Sequence, residues 1–212
     1  MGVLSGPEIA RLVKLRQEAA RRGDPVPVPS ILIEPFDPEL AGPNSYDIHL
    51  SPEFKVYALS SVRRIHPDLF RTYPDEILAD GIDPKVKTPT VSFEVSPDGF
   101  WLQPGVLYLA ATVEHTKCDG LVPWLDGRSS VGRMGLSVHV TAGRGDDAWP
   151  GRWTLEVTAV THPVKVYPHM RVGQVTYFQL IGERKPYGGK YADQQGPTES
   201  RLYQDADAGG AQ

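Results

Sequence analysis

The apolar positions of this chain form one helical stretch followed by many short alternating ones. In Ser5-Gly-Pro-Glu8, a capping serine, an early proline and a carboxylate mark a helix start. Ile9, Leu12, Val13 and Ala20 then share one face, Arg11, Lys14, Gln17 and Glu18 take much of the other, and Gly23 ends the helix. Pro25-Val-Pro-Val-Pro29 cannot continue it and reads as an extended connector. From Ile31 the texture becomes β-like. Ile31–Ile33, Tyr46–Leu50 and Phe54–Tyr57 are separate pieces divided by turn residues, and Asn44-Ser-Tyr-Asp-Ile-His-Leu50 alternates as a half-buried strand does. Strand character resumes at Thr90–Val95, Phe100–Leu102 and, past the Gln103-Pro-Gly105 turn, the branched run Val106–Val113. Leu121–Trp124, Trp153–Val160, Val164–Tyr167 and Gly173–Leu180 complete the set. About ten short, evenly spaced strands predict a mainly β fold, a barrel or jelly roll and not a parallel α/β sheet.

Two regions break this rhythm. Arg63–Lys87 mixes proline, aspartate and charge with a helical turn around Asp75–Leu78, and reads as an insertion or surface arm. From Gly182 the tail is glycine-rich and polar, and residues 204–212 are expected to be disordered. A single domain over residues 1–203 is expected, with 182–203 as its tail.

A length of 212 residues suits one domain that buries roughly 70% of its unfolded surface. The net charge of −4 argues against a nucleic-acid partner and leaves room for a local basic pocket. Cys118 is the single cysteine, which excludes an intramolecular disulfide and fits a reducing compartment. The N-terminus lacks an apolar signal core and no apolar run reaches membrane length, so a soluble cytoplasmic protein is expected.

Chemistry concentrates between Gly127 and Glu156. His115-Thr-Lys-Cys118 has ligand-like spacing, but no second cysteine completes a thiolate zinc site and no histidine is followed two residues later by Glu. No protein-held zinc is therefore expected. Cys118 has no identified base, and neither a Gly-x-Ser-x-Gly elbow nor a phosphate loop ending in Gly-Lys-Ser/Thr is present. Gly127–Gly135 instead holds two arginines, two serines and three glycines in nine residues. Read alone, this is either a turn with surface arginines or an anion cradle of guanidinium, hydroxyl and backbone donors. Gly143–Gly151 reads first as a hairpin loop. Glu156 lies on the strand face opposite Leu155 and Val157, so it is either exposed or turned into a polar pocket.

Together these pieces resemble one family. Leu125-Asp-Gly-Arg-Ser-Ser130, Arg133, Gly135-Leu136 and Val138-His-Val-Thr-Ala142, followed by Asp146, Gly151 and Thr154-Leu-Glu156, are similar to the core of the dCTP deaminases, of the trimeric dUTPase-like superfamily. The match continues into Pro186-Tyr-Gly-Gly-Lys-Tyr-Ala-Asp-Gln-Gln-Gly-Pro-Thr198 and Ser200-Arg201, and back to Asn44–Leu50. The resemblance implies a homotrimer of distorted β-barrels with interfacial active sites and a deoxycytidine nucleotide as substrate. It implies deamination of dCTP to dUTP, with Glu156 taking a proton from the attacking water, Ser129 helping to hold that water, and Arg133 near the base and the glutamate. Arg128 and Ser130 fall at the phosphate and pocket wall, Asp146 at the 3′-hydroxyl, Trp149 against the sugar or base, and Ala142 at the water or base. Thr154 and Leu155 fall among the substrate-binding residues, and Tyr187, Lys190 and Gln194 close over the triphosphate. Magnesium arrives with the nucleotide.

The family's usual turn, Ile-Asp-Pro-Gly, is Gly145-Asp-Asp-Ala148 here. That places Asp147 as an added negative charge near the sugar and Gly145 as a loosening of the turn. Alternatives within the fold are a bifunctional enzyme that forms dUMP, or a deaminase of another deoxycytidine nucleotide. A catalytically silent nucleotide-binding regulator is the alternative outside enzymology.

Overall fold

A computed structural model describes residues 2–208. Helix α1 (Gly6–Arg22) begins where Ser5 Oγ accepts from Glu8 N–H at 3.4 Å and ends at Gly23, whose φ of 71° is left-handed. Gly6, Ile9, Leu12, Val13 and Ala19 are its buried residues, while Ala20 is exposed. The burial thus falls on Ala19 where the pattern pointed to Ala20.

The strands are β1 (Ser30–Glu34), β2 (Tyr46–Tyr57), β3 (Thr90–Glu94), β4 (Phe100–Leu102), β5 (Tyr108–Asp119), β6 (Leu121–Gly127), β7 (Leu136–Ser137), β8 (Gly151–Ala159), β9 (Val164–Val166) and β10 (Arg171–Gln179). All pairings between them are antiparallel. Eight form one barrel-like sheet in the order β6-β10-β2-β5-β8-β7, with β1 added to β5 and β3 to β2, while β4 and β9 pair separately. The fold is mainly β with a short N-terminal helix, as the alternation predicts.

β2 is one strand where two pieces were expected. Its register against β5 shifts between Leu50 and Phe54, and this bulge absorbs Ser51 and Pro52. Pro52 still pairs through its carbonyl, which accepts from Val95 N–H at 2.8 Å. Tyr46, Tyr108, Tyr177 and Phe54 are the largest fully buried side chains of the core. β8 lies between β5 and β7 and alternates strictly, with Trp153, Leu155 and Val157 buried and Arg152, Thr154 and Glu156 on the other face. Each fully buried Leu or Val contributes roughly 1.5–3 kcal/mol, so a one-residue slip of β8 is strongly disfavoured.

The arm contains helix α2 (Ser60–Ile65) and short helical turns at Pro67–Phe70 and Asp75–Ile77. Val62 and Phe70 anchor it in the core, and Ala79 N–H bonds to Ala58 O at 2.9 Å across its base. The tail crosses the outer face of β8 and ends in a short helix at Tyr203–Ala208. The expectation of disorder from residue 204 therefore needs correction. Gln204 and Asp205 N–H bond to Arg201 O and Leu202 O, and Asp205 pairs with Lys190 at 2.5 Å. Residues 209–212 lie outside the described residues. Among the described residues no helix is long and apolar enough to cross a membrane.

Candidate active site

The polar face of β8 opens onto a cavity of about 550 Å³, a volume in the range of small-molecule sites. Glu156 reaches it from the strand, and its Oε2 accepts from Val140 N–H at 2.9 Å and Thr141 N–H at 3.2 Å. These two bonds draw the Val138–Ala142 segment along the cavity wall. Ala142 there has φ 61°, a left-handed conformation that costs a non-glycine residue on the order of 1–2 kcal/mol. The backbone at the wall is thus strained next to the carboxylate.

Aromatic side chains form much of the remaining surface. The Trp149 and Trp153 rings lie 5.1 Å apart, and Trp149 Nε1 donates to Tyr191 O at 2.8 Å. Gly151, at φ 154°, lets Trp149 approach, since a Cβ there would stand 2.8 Å from its ring. The tail supplies part of the cavity wall. Thr198 N–H donates to Thr154 Oγ1 at 3.1 Å, Gln194 Nε2 to Arg152 O at 2.8 Å, and Tyr191 N–H to the Tyr187 hydroxyl at 3.0 Å. Tyr57, from β2, accepts from Ser200 N–H at 3.1 Å. Burial raises the Tyr57 phenol above its ordinary value despite that hydrogen bond, so it stays protonated near neutrality.

The cavity carboxylates differ. Glu199 pairs with Lys55 at 2.9 Å and Lys87 at 3.6 Å. Burial pushes its carboxyl up, and the Lys55 hydrogen bond with nearby positive charge more than reverses this, leaving it below the usual range. Such a carboxylate is a weak base. Asp146 lines the cavity and is exposed. Glu156 has no cationic partner within salt-bridge distance among the described residues, only backbone donors. Of the three, it is the best placed to accept a proton from water.

Of the residues expected at the site, Glu156, Ala142, Asp146, Trp149, Thr154, Tyr187 and Gln194 line this one cavity. Leu155 does not: its side chain is fully buried in the core, as strand alternation requires, so only its backbone stays near the site. Lys190 does not line the cavity either; its ammonium is held by Asp205 over the Tyr191 ring. Arg128, Ser129, Ser130 and Arg133 also lie outside the lining. Helix α3 (Ser129–Arg133) exposes both serines and Arg133, and Arg128 sits 3.3 Å from Asp47. Within one chain, Glu156 therefore meets no guanidinium from Arg133.

The turn at Gly145–Ala148 is corrected too. Asp147 is buried and accepts from Gly120 N–H at 2.7 Å and Arg184 Nε at 2.8 Å, so its charge is neutralised by Arg184 and is not part of the cavity wall. Gly145 tightens the turn instead of loosening it, since a Cβ would meet the Trp153 ring at 2.5 Å. The Gly143–Gly151 segment is not a tight hairpin loop: it is part of the long connection from β7, which pairs with the far end of β8, and it is held against β6 by Leu125 N–H on Gly143 O at 2.7 Å. Arg144, Tyr57, Tyr191 and Glu199 line the cavity without having stood out in the sequence. Arg144 was legible only as a lone cation in a glycine-rich turn. Among the described residues no group of three or more His, Cys, Asp or Glu is placed to hold a metal ion.

Comparison with known proteins agrees with this architecture. A dCTP deaminase-like family model matches residues 3–180. The dCTP deaminase, dUMP-forming, of Leptospira biflexa is 40% identical over 176 residues, 82% of this chain and 89% of that protein. Its namesake from Clostridium beijerinckii is 40% identical over 177 residues, 83% of this chain and 90% of that one. The crystal structure of 2′-deoxycytidine 5′-triphosphate deaminase from Agrobacterium tumefaciens shares the fold, with a TM-score of 0.55 at 17% identity. That match covers 83% of this chain and 47% of the other, so this chain spans about half the length of that protein. With its motif, barrel and relatives in agreement, the chain belongs to the dCTP deaminase-like family.

Proposed function

We propose that the chain deaminates dCTP and releases dUMP, ammonia and pyrophosphate, with Glu156 as general base and no zinc. The observation that carries this reading is Glu156 in the cavity, oriented by two backbone N–H groups and free of a cationic partner among the described residues. Water adds to C4 of the pyrimidine as Glu156 takes its proton. That proton goes to N3 of the ring, Glu156 then carries the proton of the new C4 hydroxyl to the amino group, ammonia leaves, and a C4 carbonyl beside N3–H remains. A second water attacks the α-phosphorus and expels pyrophosphate, so two waters are consumed. The substrate is the magnesium complex of the triphosphate.

The sequence alone placed dUTP first as product and dUMP second. The names of the Leptospira and Clostridium relatives favour the dUMP-forming reaction. Ser129, Ser130 and Arg133 are exposed on α3, away from their own chain's cavity. In a homotrimer, a second copy brings these groups and Arg128 to Glu156, where Ser129 holds the water and Arg133 favours the ionised glutamate. Asp146 receives the 3′-hydroxyl, Trp149 covers the sugar or base, and Tyr187, Gln194 and Lys190 close on the phosphates, Lys190 exchanging Asp205 for them.

The test is incubation with dCTP and magnesium, resolving dUMP from dUTP and measuring ammonia. Equal amounts of dUMP, pyrophosphate and ammonia are expected. Accumulation of dUTP would return the product to the deaminase-only form. Binding of dCTP without turnover would favour the regulator reading.

A further inference from the structure

The Gly145–Ala148 turn also carries the root of the tail, the lid of the proposed reaction. Asp147 Oδ1 and Oδ2 accept from Arg184 Nη2 at 3.0 Å and Nε at 2.8 Å, and Oδ1 also accepts from Gly120 N–H at 2.7 Å. The carbonyl of the same residue accepts from Tyr187 N–H at 2.8 Å. One residue therefore holds both ends of the four-residue segment that leads into the lid. Arg184 Nη2 reaches on to Asp119 at 3.4 Å, and Asp119 is held by Arg16 of α1 at 2.6 Å. Two carboxylates and two guanidiniums thus link the helix, the β5–β6 turn and the tail, with the charges balanced.

We infer that Asp147 and Arg184 are positioning residues that dock the lid before nucleotide arrives, setting affinity for the substrate and not the rate of its chemistry. The inference rests on the reading that the cavity takes dCTP. Asp147 is 4% exposed at its side chain, so its ion pair is shielded from solvent competition in a way a surface pair is not. Burial pushes its carboxyl up, and the Arg184 and Gly120 hydrogen bonds more than reverse this, keeping it ionised. Downstream of the anchor, Tyr187 and Gln194 line the cavity and are held within the chain, the Tyr187 hydroxyl accepting from Tyr191 N–H at 3.0 Å and Gln194 Nε2 donating to Arg152 O at 2.8 Å. Ordering a lid in advance removes that entropy loss from the binding step.

The experiment compares the full chain with Asp147→Asn, Arg184→Gln and Arg184→Lys, using nucleotide-free chymotrypsin cleavage after Tyr187 and Tyr191 and steady-state kinetics with dCTP. Loss of a charge-assisted hydrogen bond corresponds to about a ten- to hundredfold change in a docking equilibrium. Cleavage should accelerate within that range for Asp147→Asn and Arg184→Gln, and KM should rise with it. The kcat should stay within about twofold, and Arg184→Lys should recover part of both losses. Arg184 is partly exposed, so Arg184→Gln keeps the test open if Asp147→Asn does not fold. Unchanged cleavage and KM in Arg184→Gln would overturn the inference, as would a fall in kcat at constant KM. If the parent protein does not turn over dCTP, the functional reading fails, while the cleavage rates still decide whether the pair anchors the lid.

Discussion

Replacing Glu156 by glutamine keeps the shape of the side chain and removes its charge. Two N–H donors converge on Oε2, from Val140 at 2.9 Å and Thr141 at 3.2 Å, and a glutamine oxygen can accept both from the same place. Turning two charge-assisted bonds into neutral ones costs about 1–2 kcal/mol in all. For a chain of this size that lowers Tm by roughly 2–8 °C, so the variant should remain folded. The chemical loss is larger, because a positioned general base contributes about 10²–10⁴ in rate. That factor is about 2.7–5.4 kcal/mol of barrier. Ammonia release from dCTP should therefore fall at least a hundredfold, while calorimetric Kd for dCTP changes by less than about threefold. A Glu156→Gln enzyme that keeps more than a tenth of the parent rate would refute the assignment. A variant that loses binding and melts more than about 10 °C lower would show that the carboxylate chiefly braces the Val138–Ala142 wall.

Mixing inactive Glu156→Gln with inactive Arg133→Ala under conditions that exchange subunits should restore activity at about a quarter of the sites, the fraction that pairs an intact Glu156 with an intact Arg133 from another copy. No recovery, with exchange verified by mass spectrometry, would place both residues of a site in one chain. Gly145→Ala puts a methyl 2.5 Å from the Trp153 ring, an overpacking that costs about 1–3 kcal/mol, and thermal unfolding should show a lower Tm. An unchanged Tm would show that the turn has room. His66 Nε2 lies 2.5 Å from the Tyr108 hydroxyl, which already accepts from Gln103 N–H, and burial lowers the imidazole below its ordinary value. Protons then bind the unfolded state more readily, so stability should fall as pH drops through about 6.5 and level off below the folded-state value. His66→Gln should flatten that part of the Tm–pH curve, and a curve of identical slope would contradict the linkage.

The parts legible in the sequence are those whose causes are local. Ser5 and Gly23 cap α1 from within a few residues of its ends, and the alternation around Leu155 and Val157 is enough to turn Glu156 outward. The illegible parts depend on partners far along the chain. Pro52 looked like a break in β2, yet Val95 uses its carbonyl and a bulge absorbs the extra residues. Asp147 looked like a stray charge because its partner Arg184 lies 37 positions away. The tail reads only as glycine-rich and polar on composition, and its path is set by bonds to Tyr57, Thr154 and Arg152 that no local pattern announces. Tyr57 and Glu199 reach the cavity by that same route.

The most direct test of the central claim is turnover of dCTP in ¹⁸O-labelled water, followed by mass spectrometry of the products. Deamination by an activated water, coupled to pyrophosphate release, predicts dUMP with one label at O4 of the base. A second label should appear in the phosphate of dUMP and none in pyrophosphate, and both labels should vanish in Glu156→Gln. Labelled pyrophosphate or nucleotide phosphate with the cytosine amino group intact would contradict the account.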